Sequence, residues 1–271
     1  MHNTKGGMMK KVLLILLAVS LFGKPALAGS FDSGLPAGWV KIGNAGTLGA
    51  DGVVTLAPNG GSKYGYVSTN GGVIGNILPG IGGTNGSSLT STVFTAGAGS
   101  SLKFSFDYIT SDGAGYADYA YAELLNAANS SVVATIFTAR TTPNGNSVPG
   151  FGLPAISAIT NPSTVTIHPG TIWSALGASS GQVYSTGAGN SGWVQSDYTI
   201  ANAGNYLLKF GVANWQDTAY DSGLAFDGLT IDNRQIGGPA PEPSTYALMG
   251  IGGLLVAFRL KKSAQKSAVS I

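Results

Sequence analysis

Between residues 101 and 110 apolar and polar side chains alternate without a break. Leu102, Phe104, Phe106 and Tyr108 face Ser101, Lys103, Ser105 and Asp107. A period of two sends the first set to one face of a strand and the second to the other. Asn205–Val212 repeats the pattern, with Tyr206, Leu208, Phe210 and Val212 opposite Leu207, Lys209 and Gly211. Short β-rich runs bounded by Gly, Asn, Ser and Pro predict further strands at Val53–Ala57, Tyr64–Thr69, Leu89–Thr95, Tyr116–Leu125, Ser131–Ala139, Thr164–Ile167, Trp193–Ile200 and Leu224–Asp232. No 3.6-residue period persists, and no fixed repeat argues for a propeller or β-helix. The expected fold is all-β, a single β-sandwich or jelly-roll-like domain over residues 29–238. Asn70–Ser88 reads as a long Gly/Asn-rich loop. Thr141–Pro169 carries Pro143, Pro149, Pro154, Pro162 and Pro169, each unable to donate to a ladder. A loop of that length in a compact domain is functional or mobile.

The two ends break this pattern. Lys10 and Lys11 precede an apolar run, Val12–Phe22, which Lys24-Pro25 closes before Ala26-Leu27-Ala28. Basic region, short apolar core and A-x-A site predict a signal peptide over residues 1–28, cut after Ala28 by signal peptidase. Met8-Met9 is a natural start, which leaves residues 1–7 as an extra leader. Eleven apolar residues are too few to span a hydrocarbon core of about 30 Å as a helix. At the other end Pro239-Ala240-Pro241-Glu242-Pro243-Ser244-Thr245 precedes an uncharged segment, 246–258, and then Arg259, Lys261 and Lys262. The apolar segment reads as a short transmembrane helix of about 20 Å at 1.5 Å per residue. Basic residues directly after it stay on the cytoplasmic side and extend the span by snorkelling. Residues 263–271 then form a cytoplasmic tail.

Pro241-Glu242-Pro243, the Gly-containing apolar segment and the basic cluster together resemble the PEP-CTERM sorting signal of Gram-negative bacteria, over residues 239–262. The cluster is mostly Lys where the family favours Arg, and a tail follows it. The resemblance implies recognition by an exosortase and processing near Pro-Glu-Pro. It also implies export through the inner membrane, a transient membrane anchor, and delivery to the cell surface or extracellular matrix. The body is similar to exported PEP-CTERM bodies of unassigned function, and that likeness supplies no active residues.

Charge changes the picture of partners. The chain has a formal net charge of +2, but eight of its bases lie in the two end segments. Residues 29–240 hold eleven acids (ten Asp and Glu123) against six bases, a net −5. Such a body repels a phosphate backbone, so nucleic-acid binding is not expected. Cysteine is absent, which removes disulfides, thiolate metal sites and cysteine nucleophiles.

Candidate chemistry is sparse. Asp107, Asp112 and Asp118 form one carboxylate group, and Asp217, Asp221 and Asp227 another. Hard oxygens on Gly-containing loops suit Ca²⁺, though neither run has EF-hand spacing. Aspartates capping turns through their own backbone give the same pattern. A glycosidase needs two carboxylates. Glu123 with Asp118 is the available pair, yet a spacing of five puts them on opposite strand faces. His168 is the one base open to a Ser-His-Asp arrangement, and no Gly-x-Ser-x-Gly elbow accompanies it. Tyr119 and Tyr121, sharing one strand face, and Trp215 are the candidate aromatic platform for sugar stacking. The reading is an exported, exosortase-sorted surface or matrix protein, non-catalytic, that binds exopolysaccharide or acts in adhesion or biofilm. The alternative is a secreted hydrolase of matrix polysaccharide.

Overall fold

The computed structural model describes residues 30–144 and 146–237. The predicted signal peptide, including Ala26 and Ala28, and the sorting segment with Pro241, Glu242, Pro243, Arg259, Lys261 and Lys262 lie outside the described residues.

The described residues are all-β, in two antiparallel sheets. One runs β1 (Val40–Ile42), β5 (Asn85–Thr90), β13 (Gly204–Ala213), β8 (Tyr119–Asn126) and β9 (Val132–Arg140). On it β4 (Val73–Ile74) pairs with β5 and β6 (Phe94–Ala96) with β13. The other runs β10 (Ile159–Asn161), β12 (Val194–Thr199), β7 (Ser101–Thr110), β14 (Ser222–Ile231), β3 (Tyr64–Ser68) and β2 (Asn44–Leu48). There β11 (Gly189–Asn190) pairs with β7 and β15 (Arg234–Gln235) with β14. Among the described residues a single 3-10 segment, Ser174–Ser179, is the one helical element.

The alternating residues fill the space between the sheets. Phe104, Phe106 and Tyr108 of β7 meet Leu208, Phe210 and Val212 of β13 in one buried cluster. Phe210 stacks on Phe226 of β14 at 3.8 Å between ring centres, and Phe106 on Phe137 of β9 at 3.7 Å. Each stack joins one sheet to the other.

The outer faces are less wet than simple alternation predicts, because loops cover parts of both. Trp173 and Leu176 pack with Tyr64, Ile109 and Ala225 over the larger sheet. Leu78 packs with Tyr119, Tyr121 and Ala213 over the smaller one. Two strand glycines make room for this. A Cβ on Gly211 would meet the Tyr121 ring at 2.3 Å, and one on Gly223 the Trp173 ring at 2.5 Å.

Some predicted boundaries move for local reasons. The run Leu89–Thr95 is split, since Ser91 Oγ takes the Leu208 N–H in place of a backbone carbonyl. Two predicted strands do not form. Val53–Ala57 belongs to the loop over the larger sheet, with Val54 in the outer cluster. Thr164–Ile167 makes only the isolated Val148–Val165 bridge. The proline-rich stretch does supply one strand, β10, at a sheet edge where proline is tolerated.

Candidate functional site

Strand register brings several loops to one end of the sandwich. Ala213 pairs with Tyr119 and Tyr119 with Arg140, while Ser222 pairs with Thr110 in the other sheet. The loops 69–84, 111–118, 141–158 and 214–221 therefore share this end.

On the outer face of the smaller sheet the loops 111–118, 141–158 and 214–221 border an open groove of about 730 Å³. Arg140 and Trp215 line it with Pro143, Asn144, Asn146, Pro149 and Phe151. The guanidinium carbon lies 4.4 Å from the centre of the Trp215 ring and 5.8 Å from that of Tyr119. Its Nε donates to the Ala117 carbonyl at 2.8 Å. Arg140 is 8% exposed and makes no carboxylate ion pair among the described residues, whose pairs are Lys103–Asp197 and Lys209–Glu123. Burial pulls its pKa below the usual guanidinium value, but an arginine remains charged. Phe151, 71% exposed, presents an apolar face at the rim. Nearby, Tyr184 touches Tyr116 at 5.4 Å and Tyr220 at 4.9 Å between ring centres.

The six candidate aspartates do not form the two groups their order implies. Asp107 lies under the outer cluster of the larger sheet and accepts the Ser191 hydroxyl at 3.1 Å. Burial raises its pKa to about 7. Asp221 accepts hydroxyls from Thr69 and Ser179. Asp227 accepts the Gly61 N–H through one oxygen, and its other, buried oxygen has no partner. At the loop end the charges of Asp112, Asp118 and Asp217 instead act on one another. Asp118 accepts the Ser222 hydroxyl and the Trp215 N–H, and its pKa is raised by burial and by the charges of Asp112 and Asp217. Among the described residues no three His, Asp or Glu side chains gather as an outright metal cluster.

Comparison with known proteins bears on the end segment. The model of the PEP-CTERM protein-sorting motif matches residues 239–262. This chain carries a PEP-CTERM sorting signal. That signal implies an exosortase-sorted surface protein and indicates export and membrane-anchored sorting to the cell surface. The exosortase is the implied processing partner. No curated protein matches the chain. Among solved structures, the K1 cleaved adhesin domain of Lys-gingipain from Porphyromonas gingivalis W83 is 15% identical, covering 75% of this chain and 96% of its own, at a TM-score of 0.36. The K3 cleaved adhesin domain of the same protein is 12% identical, covering 75% and 97%, at 0.34. Likeness of that size carries no argument about the PEP-CTERM body.

Within that body the aromatic expectation needs correction. Tyr119 and Tyr121 share a face as predicted, but both are 0% exposed beneath the loop carrying Leu78. Tyr119 accepts the Leu78 N–H and donates to the Gly82 carbonyl, so it fastens that loop and offers no platform. Trp215 is half-buried and lines the groove. Sequence reasoning passed over Arg140 and Phe151. A basic residue at the end of a predicted strand, just before a proline-rich loop, was the available signal. Glu123 and Asp118 do not form a pair. Glu123 lies 3.9 Å from Lys209 Nζ, whereas Asp118 reaches Ser222 of the opposite sheet. His168 is exposed, and its backbone bridges Asn190. Among the described residues no helix is long and apolar enough to cross a membrane.

Proposed function

We propose that the domain is a non-catalytic surface module that binds matrix exopolysaccharide through the loop-end groove, taking a carboxylate-bearing sugar. The carrying observation is Arg140, held under Trp215 at the groove wall without a carboxylate partner. A guanidinium pinned on an indole keeps its fork oriented for bidentate capture of a carboxylate. Trp215 and Phe151 offer apolar faces beside it for the sugar ring. The net −5 of residues 29–240 opposes long-range attraction of a polyanion, so recognition rests on short-range contact at this one cation.

The test is binding of the processed surface protein to immobilised polyuronate and to a neutral glucan. Wild type is expected to hold polyuronate preferentially. Arg140→Gln and Trp215→Ala should each weaken that binding at least tenfold, with circular dichroism unchanged. Equal retention of both polymers, or full binding by Arg140→Gln, defeats the proposal.

Sorting is tested at the other end of the chain. Replacing Pro241, Glu242 and Pro243 by alanine should leave an uncut form in the membrane fraction, and neutralising Arg259, Lys261 and Lys262 should weaken membrane retention. The same mature C-terminus and surface yield in wild type and both variants would count against Pro-Glu-Pro processing.

A further inference from the structure

We infer that the loop end of the sandwich holds a Ca²⁺ ion between Asp112, Asp118 and Asn214. Nothing in the groove reading requires it. It rests on polar groups buried between the sheets without partners.

Asp112 is 1% exposed, and its Oδ2 has no hydrogen-bond partner. Asn214 is 0% exposed, and neither its Oδ1 nor its Nδ2 has one. Leaving a buried polar group without a partner is costly, more so when it is charged, so a fold that keeps both side chains buried has something else to satisfy their oxygens. Backbone contacts place both residues around Asp118. Val212 lies in the core between the sheets and Ala213 in the outer cluster, so alternation returns Asn214 to the inner side. The next residue's N–H, that of Trp215, donates to Asp118 Oδ1 at 2.9 Å. Asp118 Oδ2 accepts the Ser222 hydroxyl at 2.7 Å, and that hydroxyl lies 2.8 Å from Thr110 Oγ1. Thr110 Oγ1 in turn accepts the Asp112 N–H at 3.2 Å. A chain of hydrogen bonds thus runs from the Trp215 N–H, next to Asn214, through Asp118, Ser222 and Thr110 to the Asp112 N–H.

The donor set is two carboxylates and an amide oxygen, all hard oxygen. Ca²⁺ accepts six to eight such ligands in flexible geometry and fills its shell with carbonyls and water. Asp217, on the same loop as Asn214, adds negative charge that acts on both Asp112 and Asp118. Arg140 is the opposing cation, and its charge also reaches Asp118. Three carboxyl groups thus face one guanidinium there. Neither sequence-defined carboxylate group is the site. It takes Asp112 and Asp118 from one and, through Asp217, only the charge of the other.

The experiment is thermal unfolding of the full chain in detergent, in millimolar CaCl₂ and in chelator. Ligand at about a hundred times Kd should raise Tm by roughly 5–10 °C. Asp112→Asn should unfold in chelator no earlier than wild type, because it removes an uncompensated buried charge, and should lose most of the Ca²⁺ response. Asp107→Asn, remote from the site, should keep the whole response. Coincident wild-type curves with and without Ca²⁺ would mean that water fills the gap, and would overturn the inference. So would a full response from Asp112→Asn. The polyuronate assay does not enter this readout, so either proposal can fail alone.

Discussion

Phe226→Ala is expected to lower the folding free energy by about 3–5 kcal/mol, the usual loss for a buried phenylalanine cut to alanine. Phe226 is 0% exposed and lies where the two sheets meet. Its ring stacks on Phe210 at 3.8 Å with planes 5° apart, and Phe31 meets it edge-on at 5.5 Å. Truncation leaves both rings facing a cavity. Phe210 is also held edge-to-face by Phe104 at 5.2 Å. Against a total stability of about 5–15 kcal/mol, this is a fifth or more. Denaturant titration of the purified protein measures it as a shift in midpoint at constant slope. Phe151→Ala is the contrast. That ring is 71% exposed, so its loss should leave the midpoint within about 0.5 kcal/mol of wild type. A midpoint for Phe226→Ala as close as that would mean the two sheets are not joined through this stack.

The second large effect concerns pH. Asp107 is buried beneath the outer cluster with the Ser191 hydroxyl as its side-chain partner and no cation beside it. Its pKa rises from an ordinary 3.8 to about 7 in the fold. Between those values the folded state binds the proton that the unfolded state has released, so stability falls as pH rises. The contribution is complete below about pH 4 and lost above about pH 7. At about 1.4 kcal/mol per pKa unit, the swing is about 4 kcal/mol. Asp118, Asp221, Asp227 and Glu123 shift the same way, burial being the leading cause in each. Unfolding in chelator should therefore show a higher Tm at pH 5 than at pH 8. Asp107→Asn keeps an oxygen for the Ser191 hydroxyl and removes the titration. It should flatten its share of the slope and gain stability at pH 8. A wild-type Tm that rises from pH 5 to pH 8, or an Asp107→Asn slope equal to wild type, would contradict this account.

Much of the fold was legible in the chain because strand alternation is local. Ser101–Thr110 is a strand over the residues predicted, with Phe104, Phe106 and Tyr108 inward as their period requires. Seven further predicted runs contain strands, shifted by a few residues at their ends. The sorting signal was legible for the same reason, since its three parts follow one another within 24 residues. β5, with sequence NGSSLT, carried no apolar period, and only its place between β1 and β13 made it a strand.

The site was not legible, because its parts are distant in sequence and their neighbours decide their roles. Asp112 and Asp217 act on one another only because β7 and β13, in different sheets, end at the same side of the sandwich. Arg140 becomes a groove residue only where Trp215, 75 positions later, covers its guanidinium. Tyr119 and Tyr121 alternate as predicted, but whether their face is wet depends on the loop bearing Leu78, which no local pattern announces. The sequence by itself determined which side chains share a strand face, and that the chain carries a sorting signal. The tertiary structure decided which face is covered and which carboxylates lie together, because both follow from packing between segments that local periodicity does not connect.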